Sequence, residues 1–93
     1  MSEAATPTAL TGSDQLIRTG PSIYRGFTIR ETSGTTAAVV RIHDGVTAAG
    51  TVLDTIALNP GESAREWYHP GIHATTGVYV DVVSGAVAGS VRV

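Results

Sequence analysis

The sequence predicts an all-β fold, a small antiparallel β-sandwich or barrel of about seven to eight short strands with an extended N-terminal arm. Three observations predict it. Turn signals recur about every eight to twelve residues from Gly20-Pro21 onward: Ser33-Gly34, Asp44-Gly45, Gly50, Asn59-Pro60-Gly61, Pro70-Gly71, Thr76-Gly77 and Ser84-Gly85. The runs between them are short and rich in Val, Ile, Thr and aromatic residues, the side chains that suit a pleated, half-buried surface. No segment keeps a 3.6-residue apolar period over about ten residues, so no long helix is expected.

Taken in order, residues 1–20 have no sustained period, and Pro7 and Gly12 interrupt them. They are expected to form an extended arm, separate from a β-domain at residues 21–93. Leu10, Leu16 and Ile17 are the large apolar residues of this stretch and the ones placed to anchor on another surface. The first domain strand is expected near 22–31, with Ile23, Phe27 and Ile29 on one face and Tyr24, Thr28 and Arg30 on the other. The next, near 37–43, sets Val40 and Ile42 against Val39 and Arg41. The run at 51–58 alternates poorly: Val52, Ile56 and Leu58 share a face with Asp54, which points to a bulge or an edge position. Asn59-Pro60-Gly61-Glu62 reads as a type I or II turn, because Pro60 presets φ at its second position. Further strands are expected near 63–68 and 72–75.

The most regular stretch is Gly77–Val93. Val78, Val80 and Val82 alternate with Tyr79, Asp81 and Val83, and Gly89, Val91 and Val93 alternate with Ala88, Ser90 and Arg92. A two-residue turn at Gly85-Ala86, with Gly85 at positive φ, predicts a hairpin of strands 78–83 and 87–93. Its register would set Val80 opposite Val91 and Tyr79 beside Arg92.

Composition narrows the function. The 93 residues make one domain, which buries roughly 60–65% of its unfolded surface, and the net charge of −2 argues against a nucleic-acid surface. There is no cysteine, hence no disulfide framework and no thiolate metal site. No basic region precedes an apolar run at the N-terminus, so no signal peptide is expected. No apolar run is long enough to span a membrane, so no membrane partner is expected.

Candidate chemistry is sparse. His69 and His73 stand four apart, but Pro70 and Gly71 break any helix that would align them as metal ligands. His43-Asp44 reads as a strand end entering a turn, with Asp44 bonding the neighbouring backbone. No G-x-S-x-G elbow is present. The residues therefore predict no catalytic site, no metal and no cofactor. Arg65-Glu66-Trp67-Tyr68-His69 is the most contact-like stretch. Trp67 and Tyr68 point to opposite faces of a strand, with Trp67 expected inward and Tyr68 on the surface as a partner-binding residue. Should the arm not bind, Tyr68 and the loops at 44–50 and 69–73 are the next attachment points.

Tyr24-Arg25-Gly26-Phe27, Val39-Val40-Arg41-Ile42, Thr51-Val52-Leu53-Asp54-Thr55-Ile56 and the run Gly77–Val93 together give residues 21–93 an overall pattern. That pattern resembles the small head decoration, or minor capsid (cement), proteins of tailed bacteriophages of actinobacterial hosts. The resemblance implies a structural virion protein without enzymatic activity, made in the host cytoplasm. Such a protein sits on the capsid surface, often at three-fold positions as a trimer, and bridges and stabilises major capsid subunits. Two alternatives stand beside it: another virion component (a tail, neck or fibre-base domain), and a carbohydrate-binding β-sandwich module using Trp67, Tyr68, Tyr79 and Arg92.

Overall fold

A computed structural model describes residues 4–93, so the part of the expected arm at residues 1–3 lies outside the described residues. The described chain is all-β, with eight strands and no helix. In order they are β1 (Pro7–Ala9), β2 (Gln15–Thr19), β3 (Ser22–Glu31), β4 (Ala38–Asp44), β5 (Thr51–Leu58), β6 (Ser63–Ala74), β7 (Gly77–Ser84) and β8 (Val87–Arg92). They form two antiparallel sheets, β1-β8-β3-β6 (sheet A) and β2-β7-β4-β5 (sheet B), packed as a small β-sandwich.

The core follows from the period of two. Phe27, Ile29, Val87 and Val91 from sheet A meet Ala38, Val40, Ile42, Ile56, Leu58, Val78 and Val80 from sheet B, all buried. At about 25 cal/mol per Å² of apolar surface removed from water, this cluster is the main favourable term for a domain otherwise made of polar turns.

Three expectations are corrected. First, β7 and β8 do not form a hairpin. β7 pairs with β2 and β4, and β8 with β1 and β3. Val80 and Val91 both lie in the core, but on opposite sheets, and Tyr79 sits in a different sheet from Arg92. Gly85, at φ +80, makes the corner between the sheets; a Cβ there would lie 2.6 Å from that of Ala38. Both β7 and β8 point one row of Val inward. Two strands facing each other across a sandwich give the same alternation as two strands side by side.

Second, β3 changes parity at a register shift between Tyr24 and Gly26. Tyr24 points into the core with Phe27 and Ile29, and Ile23 is only half-buried. A bulge inserts one residue and swaps the faces on either side of it.

Third, residues 7–9 and 15–19 are extended but not detached. β1 pairs with β8 and β2 with β7, one strand in each sheet. Reciprocal backbone bonds between Thr6 and Val93, at 2.8 and 3.1 Å, continue the β1–β8 ladder.

The reading of 51–58 as an edge strand with a bulge holds, but the shift turns Val52 to the outer face opposite His43, while Asp54, Ile56 and Leu58 stay on the inner one. β5 is the outer strand of sheet B, and its register against β4 shifts between Ile42 and His43. The turn at 59–62 closes with Glu62 N–H donating to the Asn59 carbonyl at 3.0 Å. Gly61 takes φ +73, the positive value that a type II turn requires at its third position.

Candidate functional site

Three acidic side chains have internal structural roles. Asp54 on β5 accepts hydrogen bonds from the hydroxyls of Tyr24 (2.9 Å) and Tyr68 (2.7 Å), both on its Oδ2. The two rings lie 5.5 Å apart and tilted by 60°. β5 and β6 are outer strands of different sheets, so this triad ties the two sheets together along one open side. Burial raises both phenol pKa values, and the Asp54 carboxylate raises them further. Both tyrosines therefore stay protonated and act as donors at neutral pH. The sequence signal for the triad was Asp54 itself, an acid on the inward face of a strand, which requires partners.

Glu31 and Asp44 are backbone clamps. Glu31, 3% exposed, accepts from the backbone N–H groups of Ser33 (2.7 Å), Gly34 (2.6 Å) and Gly61 (2.9 Å), locking the β3–β4 loop to the β5–β6 turn. The Ser33 side chain, with these backbone donors, lowers its carboxyl to about 2. Asp44 accepts from Thr75, Thr76 and Gly77 N–H and from the Thr75 hydroxyl, at 2.8–3.4 Å. The backbone donors of Thr75 and Thr76 lead in lowering it to about 2. Asp44 was expected to bond its neighbouring backbone and instead holds the distant β6–β7 turn. Nothing in the local sequence around Glu31 pointed to its cage.

The partner-binding residues separate. Leu10 and Ile17 are half-buried and pack against the core, and Tyr68 does the same. Leu16 is 45% exposed. Trp67 and Tyr68 exchange the roles expected of them, Trp67 lying 56% exposed and Tyr68 partly inside. The reason is Asp54, which draws the Tyr68 hydroxyl between the sheets. The expected loop at 69–73 lies within β6. Of the four residues proposed for sugar binding, only Trp67 and Arg92 meet, with the guanidinium 5.1 Å from the ring centroid.

Surfaces remain. On the outer face of sheet B, cross-strand partners align Leu16, Tyr79, His43 and Val52 into one row across all four strands. Val52 is 47% exposed; Val46, in the β4–β5 loop, and Val83, near the end of β7, are exposed as well. His43 is buried in the row, with its Nδ1 2.9 Å from the Gly50 carbonyl and its Nε2 3.4 Å from Asp81. A carbonyl only accepts, so Nδ1 carries the proton. On the outer face of sheet A, Arg30, Arg65 and Arg92 surround Thr28 and Ser63, with Trp67 alongside. A shallow depression of about 310 Å³ opens there over Thr28, Ser63, Ala64 and Arg65. Among the described residues, no three His, Asp or Glu side chains converge to hold a metal ion. Comparison with protein-family models, with curated proteins and with solved structures finds no match to this chain.

Proposed function

We propose that the chain is a structural virion protein that decorates an assembled bacteriophage capsid and stabilises it by bridging neighbouring major capsid subunits. It acts by binding rather than catalysis, sits on the capsid surface, and groups there as a trimer. The observation that carries this reading is the apolar row on the outer face of sheet B. Leu16 and Val52 stand at its two ends, each nearly half exposed, with half-buried Tyr79 and the buried His43 between them. Large apolar side chains left exposed on one face of a small domain mark a protein-interaction surface. Beside this row Arg41 stands opposite Asp81, so the face carries little net charge and suits a dry interface. A flat sheet can lie across a subunit boundary, which makes the assembled lattice the binding partner. Ligation of the assembled state alone then stabilises the shell by mass action.

The attachment residue among those named from the sequence is Leu16; Leu10 and Ile17 are committed to the protein's own core. Removing residues 1–17 would delete β1 and half of β2, so point substitution is the clean test. Undecorated shells are incubated with the wild-type chain and with a Leu16→Asp/Val52→Asp variant, and both binding and shell melting are measured. The proposal expects the wild type to bind shells but not free subunits and to raise the shell melting temperature, and the variant to do neither. Equal binding by the variant would remove sheet B as the docking face. Copies per purified particle decide between a head protein, present many times, and a tail, neck or fibre-base component, present a handful of times.

A further inference from the structure

The outer face of sheet A bears no relation to the docking row and has its own chemistry. Its outward positions on β3, β6 and β8 include Arg30, Arg65 and Arg92, half of the six basic residues of the chain. The alternation turns Glu31 and Glu66 to the other side, so among the described residues no carboxylate occupies an outward position on these strands.

Trp67 is held in place on this face. Gly26 on β3 lies opposite both Arg92 on β8 and Trp67 on β6. With no side chain between them, the Arg92 guanidinium crosses β3 and stacks on the indole at 5.1 Å. A Cβ at Gly26 would overlap the Glu66 carbonyl, and its φ of +130 also favours glycine. Arg92 is itself fixed. Its Nη1 donates to the Thr28 hydroxyl (2.9 Å), and its Nη2 to the carbonyls of Phe27 (2.9 Å) and Glu66 (2.6 Å). Trp67 nonetheless remains 56% exposed. The result is a held aromatic plate on the same face as a shallow depression lined by Thr28, Ser63, Ala64 and Arg65, with the exposed Arg30 opposite Ser63 in the ladder.

We propose that this face binds an acidic sugar, a hexose ring bearing a carboxylate, within an oligosaccharide. The apolar C–H face of the ring stacks on Trp67, its carboxylate pairs with Arg65 and Arg30, and its hydroxyls exchange hydrogen bonds with Thr28 and Ser63. Charge selects an anion. One feature selects a sugar over single-stranded nucleic acid: one exposed indole stacks one ring, whereas strand binding uses successive stacked bases. This inference concerns the opposite face from the capsid-docking row and does not depend on it.

Trp67 is the only tryptophan in the chain, so its fluorescence reports on the site directly. The probe is a short oligogalacturonate, compared with a neutral maltooligosaccharide, an oligothymidylate and a poly-glutamate peptide of similar length. A saturable fluorescence change with oligogalacturonate is expected; the neutral maltooligosaccharide should be at least about tenfold weaker, since it lacks the charge-assisted hydrogen bond, and poly-glutamate and oligothymidylate weaker too, since neither joins a carboxylate to a sugar ring whose C–H face can stack on Trp67. Arg65→Ala and Arg30→Ala should each weaken binding about tenfold while leaving the melting temperature unchanged. Trp67→Ala, followed by calorimetry, should abolish it. No saturable change with millimolar oligogalacturonate would overturn the proposal. So would equal affinity for oligothymidylate or poly-glutamate, or full affinity in Arg65→Ala.

Discussion

The two outer faces of the sandwich are made by the same period of two and share one core, yet they differ in chemistry. Sheet B turns out a row of Leu16, Tyr79, the buried His43 and Val52, with Arg41 opposite Asp81 beside it. Sheet A turns out Arg30, Arg65 and Arg92 with no acid among them, and an indole clamped by one of the three. The inward residues decide that a sandwich forms, and the outward ones are left free to differ. One face is suited to a dry protein contact and the other to a wet, anionic ligand.

The harshest way to break the comparison is to destroy what the faces share. Val80→Asp places an unpaired charge in a fully buried site and should cost about 3–5 kcal/mol. Thermal melting should show it, and both proposed binding activities should disappear together. A variant that melted within a few degrees of the wild type would mean that β7 does not face the core. Next in size is Asp54→Ala, which leaves the Tyr24 and Tyr68 hydroxyls without their acceptor. A loss of about 2–3 kcal/mol is expected in denaturant unfolding, and Asp54→Asn, which keeps one carbonyl oxygen, should lose less.

Salt sharpens the contrast without touching the fold. Raising ionic strength from low to moderate should weaken oligogalacturonate binding several-fold and leave shell binding nearly unchanged, because screening acts on exposed charge and not on apolar burial. Equal salt sensitivity at both faces would contradict the division of labour. The smallest effect concerns acid. The carboxyls of Glu31 and Asp44 sit at about 2 in the folded chain, below their ordinary values of 4.5 and 3.8. The unfolded chain therefore takes up protons first as pH falls. The stability these clamps supply is full above about pH 5, declines below it, and is gone near pH 2. Glu31 clamps an end of sheet A's β3 and Asp44 an end of sheet B's β4, so Glu31→Gln and Asp44→Asn should each flatten part of the acid slope in melting experiments.

Much of this architecture was legible in the sequence because it is local. The positions of β3, β4, β5, β7 and β8 followed from turn residues, and β5 declared itself an edge with a bulge through Asp54 on its apolar side, whereas β1 and β2 read only as an arm and β6 as two pieces. Pairing was not legible, because β7 and β8 bury valines identically whether they are neighbours or face each other. Tyr68 and Trp67 were exchanged for a related reason: alternation says that they oppose each other, but only the partner Asp54, on another strand, says which is inside. The basic face was invisible for the same cause. Arg30, Arg65 and Arg92 are far apart in the chain, and only the sheet order gathers them.

That sheet order has a consequence for how the protein is born. Of all neighbouring strands, only β4 and β5 are consecutive in the chain; every other connection passes from one sheet to the other. The first two strands have their partners in the last two, β1 in β8 and β2 in β7. A ribosome adding about 5–20 residues per second emits residues 7–19 roughly 3–17 s before residues 77–92 exist to receive them. During that interval the apolar side chains of Leu10 and Ile17 have no sheet to join. The domain closes only when its final strand emerges, so a stalled or truncated chain never makes a smaller version of this fold. It makes an open one, with its first strands unpaired and exposed to whatever else is in the cell.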